Sequence, residues 1–301
     1  MRKVIRDVVI ACLKVALALG IFLLCNFAGL YLFDLAGIDR KVYAGVCDVF
    51  ISLLSLGSLC VFWRIDRKIS GEFISFAKPL PSRTVCSAIT AVGLTGLVVI
   101  YMLAANYLSD YINSFKENLD QYKDAVNRYS EVSQKEVPLW DSLIYIVALF
   151  TIIPLSEEFL FRGIVMGQLR KAAPGWLALL LQAVIFGLMH GITIHIGYAL
   201  ICGIVLGAVY MFCDNLWMSV LVHGIFNLLG SALPTFLALE QFGIPKETRL
   251  NTSYIMSLVE YFMMFPAALA FVYLWYKYKK SREANSLTAE EPEPVEEGVP
   301  C

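Results

Sequence analysis

The chain has 301 residues, of which 58% are hydrophobic and 16% charged, with a formal net charge of −1. Soluble domains carry roughly 25% charged residues, so this composition excludes an ordinary soluble globule and describes a polytopic membrane protein. The near-neutral charge offers nothing to attract nucleic acid, which is not expected as a partner; the lipid bilayer is.

Apolar runs long enough to cross a bilayer lie near 8–33, 42–63, 85–108, 139–160, 176–191, 196–213, 216–232 and 253–276. They predict an all-α fold, a polytopic transmembrane helix bundle of about eight spans with the active site inside it. Lys14 interrupts the first run and no small-x-small cleavage site follows, so this run reads as a retained helix and not a signal peptide. Arg2, Lys3 and Arg6 precede the first span, and Arg64, Arg67, Lys68, Lys78 and Arg83 lie in the second loop. Arg170 and Lys171 mark the fourth loop, and Lys277, Lys279, Lys280 and Arg282 follow the last span. With eight spans all these clusters fall on one side, which the positive-inside rule makes the cytoplasm. Both termini are expected there, in a protein of the cell (plasma) membrane.

Four regions follow: 1–138, N-terminal transmembrane helices and an external loop; 139–232, a core of closely spaced spans; 233–280, a second external loop and the last span; and 281–301, a cytoplasmic tail. The first external loop, 109–138, is polar and predicts an amphipathic helix from Tyr111 to Val132. The second, 233–252, is broken by Pro234 and Pro245. The tail is acidic and proline-rich, a composition that cannot bury a core and predicts disorder; its final Cys301 does not stand at the prenylation position. The eight cysteines show no C-x-x-C pair, and most sit singly in apolar spans, like Cys12, Cys25, Cys60 and Cys202. They behave as small hydrophobes and suggest neither a disulfide framework nor a thiolate metal site.

The chemistry is concentrated in the core. All three histidines, His190, His195 and His223, lie between residues 190 and 223, and the run from Trp140 carries Glu157, Glu158 and Arg162. Ionisable groups at membrane depth cost about 2.5–3.5 kcal/mol each on insertion scales, so they call for a partner or a task. The segment from Ile152 to Gly191 reads as two helices joined at Ala173-Pro174-Gly175. Glu157 and His190 are equidistant from that turn, about 25 Å along continuous helices, which predicts that they stand side by side. Glu158 and Arg162 are spaced i,i+4 and predict an ion pair, leaving Glu157 for His190. His223 and Asn227 are likewise i,i+4 and share a helix face. His195, in the short loop GITIH, has no motif partner and reads as structural. Gly203 and Gly207 form a G-x-x-x-G surface for close helix packing.

Two chemistries are compatible with this set. In one, Glu157 acts as general base on water, His190 orients that water or protonates the leaving amine, and His223 and Asn227 donate to the oxyanion. In the other, Glu157, His190 and His223 hold a zinc ion with one open position. There is no H-E-x-x-H motif and no grouping of serine, histidine and carboxylate. Both chemistries hydrolyse an acyl bond.

The residues EEFLFR (157–162), FGLMH (186–190) and HGIFN (223–227), in this order on successive helices, resemble the CPBP family, the CAAX-processing and bacteriocin-processing (Abi-like) intramembrane proteases. The resemblance covers about 139–232. It implies Glu157 as the water-activating glutamate, His190 as its partner, and His223 with Asn227 completing the site, supported by Glu158 and Arg162. It further implies an intramembrane endopeptidase acting on a membrane-embedded or lipid-anchored protein or peptide. A non-proteolytic scaffold or immunity protein of the same family is the competing function. A proton-relaying transporter is a third, but the first three spans carry no matching polar groups or repeat.

Overall fold

A computed structural model describes residues 2–131, 137–191 and 193–290. Its elements are helical, and among the described residues the only bridge between extended segments joins Phe76 to Asn215. The long helices are α1 (Arg2–Leu35), α2 (Ala44–Ser70) and α3 (Pro81–Ser109), followed by the amphipathic α4 (Asn113–Glu131). A broken fourth pass follows: α5 (Leu139–Phe150), α6 (Ile152–Glu158), a wider π-type winding over Phe159–Val165, and α7 (Met166–Ala172). Then come α8 (Gly175–Leu188), α9 (Thr193–Cys213) and α10 (Leu216–Asn227). A second π-type turn (Leu228–Ala232) leads into the short α11 (Leu233–Ala238), and α12 (Lys246–Glu290) closes the chain.

Each of the eight apolar runs is a helical pass, and seven are long and apolar enough to cross a membrane. The exception is α8, whose 14 residues rise only about 21 Å against a hydrocarbon core of about 30 Å.

Helices approach closely where their side chains are smallest. A Cβ on Gly203 would lie 2.9 Å from Ala183 Cα, and one on Gly207 would lie 2.6 Å from Gln182 Nε2, so the G-x-x-x-G of α9 is the surface that seats α8. Gly93 and Gly96 of α3 do the same for α12, against Ala267 and the Glu260 carbonyl. Lys14, the interruption in the first span, is paired: its Nζ lies 2.5 Å from Asp66 Oδ1 and from Ser70 Oγ, while Gln168 Nε2 donates to Asp66 Oδ2 at 2.5 Å. This network ties α1, α2 and α7 together. Asp141 of α5 is buried and accepts from the amides of Gly45 (2.8 Å) and Val46 (3.0 Å), capping α2 from another helix where Tyr43 supplies no side-chain cap.

The basic clusters meet at one end of the bundle. Lys171 lies 4.2 Å from the centroid of the Phe73 ring, Ser75 donates to the Asp214 carbonyl at 2.7 Å, and Arg83 donates to the Cys213 carbonyl at 3.2 Å. Tyr278 of α12 packs on Phe212 at 5.5 Å. The segment 71–80 is a strap across this end, with Ile74 buried against Gly163.

Two expectations need correction. The loop 233–252 is largely helical: Pro234 sits in the first turn of α11 and Pro245 directly precedes α12, positions where a missing N–H costs nothing. The tail begins as helix, since α12 runs through Glu290; residues 291–301 lie outside those described. The amphipathic helix expected in 109–138 forms as α4, and its Tyr122 packs on Tyr198 of α9 at 6.2 Å. Val132, its expected end, lies outside the described residues.

Candidate active site

The site forms where the fourth pass is irregular. Pro154 has no N–H to give the Phe150 carbonyl, and the helix breaks at Thr151, with φ −122° and ψ −87°. Gly224 of α10 is seated against that exposed carbonyl, where a Cβ would lie 2.7 Å from Phe150 O. Asn227, one turn on, donates from Nδ2 to the Leu149 carbonyl at 2.9 Å. One N–H of its amide is thus engaged in holding the α5–α6 break against α10.

Beyond the break, Glu157 and Glu158 end α6 and the π-type winding begins. Windings of this kind recur at functional sites because the extra residue per turn redirects side chains. Glu158 and Arg162 are fully buried and paired at 2.6 Å, as their spacing predicts. Arg162 also donates to the Gly203 carbonyl at 3.4 Å and lays its guanidinium 4.4 Å from the Phe186 ring centroid. Glu158 Oε1 accepts a second hydrogen bond, from His223 Nδ1 at 2.7 Å. His223 then turns Nε2 toward Glu157 Oε2, 3.8 Å away. One imidazole therefore bridges both glutamates. Glu157, with 23% of its side chain exposed, is the carboxylate left open.

His190 follows the end of α8, and its Nδ1 lies 2.8 Å from the Phe186 carbonyl. A carbonyl only accepts, so Nδ1 carries the proton and Nε2 keeps its lone pair. The same reasoning fixes His223, whose Nδ1 faces a carboxylate. Both rings pack on Phe186, His190 at 4.7 Å and His223 at 6.0 Å between centroids. Phe186 is the hub of the site.

The expected face-to-face pairing of Glu157 and His190 is not what forms: among the described residues no ion pair joins them, and Glu157 faces His223. The equal-height estimate assumed continuous α-helix. The π-type winding between Glu157 and the 173–175 turn changes both rise and direction, and α8 stops at Leu188. The three-ligand zinc arrangement of Glu157, His190 and His223 does not assemble either: among the described residues no three His, Cys, Asp or Glu side chains group closely enough to hold an ion. His223 and His190 each spend Nδ1 on an oxygen acceptor and keep Nε2 free.

His195 is a residue the sequence reading undervalued. It lies in the first turn of α9, 4.4 Å from the His190 ring centroid and stacked at 4.6 Å on Tyr198. The signal was its place five residues after His190.

Fold and cluster together define an integral membrane protein of the helical, polytopic class that keeps carboxylates, a guanidinium and imidazoles among its spans. Residues 139–229 match the family model described as type II CAAX prenyl endopeptidase Rce1-like. A protein of Bacillus subtilis (strain 168) named "Putative membrane peptidase YdiL" is 23% identical over 133 residues, which are 44% of this chain and 54% of that protein. The chain thus spans about half the length of the curated relative it matches. No solved structure matches. Both matches support the likeness to the CPBP/CAAX family, and the family model falls on the segment that carries the three motifs.

Proposed function

We propose that the protein is an intramembrane endopeptidase that hydrolyses a peptide bond in a membrane-embedded or lipid-anchored protein or peptide. The observation that carries this reading is the chain Arg162–Glu158–His223–Glu157, in which a buried ion pair fixes a histidine and the histidine faces a partly open carboxylate. A scaffold has no physical need for that sequence of contacts.

Glu157 is the general base. It takes a proton from water as the water oxygen attacks the carbonyl carbon, and returns that proton to the leaving nitrogen as the C–N bond breaks. The 3.8 Å between Glu157 and His223 is longer than a hydrogen bond, and a water donating to both the Nε2 lone pair and the carboxylate can join them once substrate binds. His190 offers its Nε2 lone pair to position the water. Glu158 and Arg162 orient His223, and Asn227 is a positioning residue that holds the break from which α6 presents Glu157. The mechanism runs on the carboxylate and needs no metal ion. The basic end of the bundle, which carries the first residues of α1 and the last of α12, is cytoplasmic in a plasma-membrane protein by the positive-inside rule.

Comparing membrane-fraction peptides by mass spectrometry from cells carrying the parent or Glu157→Ala protein tests this. At least one membrane protein should keep a segment in the variant that the parent removes. Identical peptide sets, with the variant present at parental level, overturn the proposal.

A further inference from the structure

Four acids are buried among the described residues: Asp66, Asp141, Glu158 and Glu260. Three are matched by charged or N–H donors. Asp66 has Lys14 and Gln168, Asp141 has two backbone amides, and Glu158 has Arg162 and His223. Glu260, on α12, is 7% exposed and is hydrogen-bonded by the neutral Thr95 hydroxyl, with no cationic ion-pair partner among the described residues. It lies about 10 Å inside the last apolar run, where a carboxylate without a counter-charge is expensive.

Glu260 lines a cavity of about 350 Å³ between α3, α4, α9 and α12. The walls combine Val98, Val99, Met102 and Leu103 with the hydroxyl-bearing Thr95, Ser231, Tyr122 and Tyr198. One wall of the cavity backs onto the candidate site: Tyr198 stacks on His195 at 4.6 Å, and His195 meets His190 at 4.4 Å. Phe226, which also lines it, belongs to the same motif as His223 and Asn227. An apolar chamber with two phenol rings and a single carboxylate suits an alkyl chain that ends in a cation. Aliphatic walls take the methylenes, the rings take the cation face-on, and the carboxylate neutralises it.

We propose that this cavity is a substrate subsite that takes a lysine side chain of the peptide, with Glu260 as its counter-ion and Tyr122 and Tyr198 flanking the ammonium. The proposal rests on the peptidase reading given above, and its test is made on binding so that the two fail separately. Peptides of one transmembrane length carry a single lysine, moved position by position, or norleucine, its uncharged near-isostere. Their affinity is measured by fluorescence anisotropy for the Glu157→Gln protein in lipid nanodiscs, where no cleavage intervenes.

At one lysine position the peptide should bind about tenfold tighter than its norleucine counterpart, the size of effect a desolvated ion pair with an aromatic neighbour produces. Adding Glu260→Gln should bring the lysine peptide down to the norleucine affinity, while the norleucine peptide's own affinity stays within about twofold. Equal binding of lysine and norleucine peptides at every position overturns the subsite, as does a lysine preference that survives Glu260→Gln. If Glu260→Gln does not fold, the lysine–norleucine comparison on the Glu157→Gln protein decides alone. Failure of the Glu157-bearing protein to cleave any of these peptides bears on the peptidase reading, not on the subsite.

Discussion

Replacing Arg162 by methionine isolates the contact on which the site is built. Arg162 and Glu158 have no exposed side-chain surface, and the guanidinium meets Glu158 Oε1 at 2.6 Å, the Gly203 carbonyl at 3.4 Å and the Phe186 ring at 4.4 Å. Methionine keeps much of the apolar volume over Phe186, so the loss measured is mainly that of the charge. Glu158 would remain buried with His223 as its only strong partner, and removing one member of a buried pair costs about 3–5 kcal/mol. Against a total stability of about 5–15 kcal/mol for a typical domain, that is a large fraction. The assay is equilibrium unfolding in mixed micelles, followed by tryptophan fluorescence. The double variant Glu158→Gln/Arg162→Met should recover more than half of the loss, because glutamine still offers an oxygen to His223 Nδ1 and no charge is left unpaired. A single variant as stable as the parent, or losses that simply add in the double variant, would show that the pair carries no such coupling.

Asp141→Ala removes the inter-helix cap from α2 and should destabilise the protein by about 1–3 kcal/mol in the same assay, with Asp141→Asn restoring part of it. Asn227→Ala leaves the Leu149 carbonyl without its donor; it should cost about 1–3 kcal/mol and lower turnover through misplacement of Glu157, so a turnover loss with no change in stability would return Asn227 to an oxyanion role. A chelator should leave peptide cleavage unchanged, whereas loss of activity restored by zinc would contradict the metal-free mechanism.

The apolar runs made the helices legible because a bilayer imposes length and composition directly on sequence. Glu158 and Arg162 were legible for a similar reason, since i,i+4 spacing acts within one helix. What the sequence could not display is contact between helices. The attachment of His223 to Glu158 depends on α10 reaching α6 across the bundle, which Gly224 permits at Phe150, and no spacing rule encodes that approach. The π-type winding lies under the 71–80 strap, where Ile74 fits over Gly163, and a register counted on regular helix does not include it. Glu260 is a different case. It stood in an apolar run in plain view, and the rule that singled out Glu157 and Glu158 applied to it equally.

The central claim is that Glu157 is the base, and Glu157→Gln tests it most directly because it preserves shape and removes only proton affinity. The purified protein and the variant, reconstituted in the same liposomes, are given a transmembrane peptide that the parent cleaves, and product formation is followed by mass spectrometry. The account predicts a fall in turnover of about 10²–10⁴-fold with unfolding stability unchanged. Cleavage by Glu157→Gln at the parental rate would contradict it.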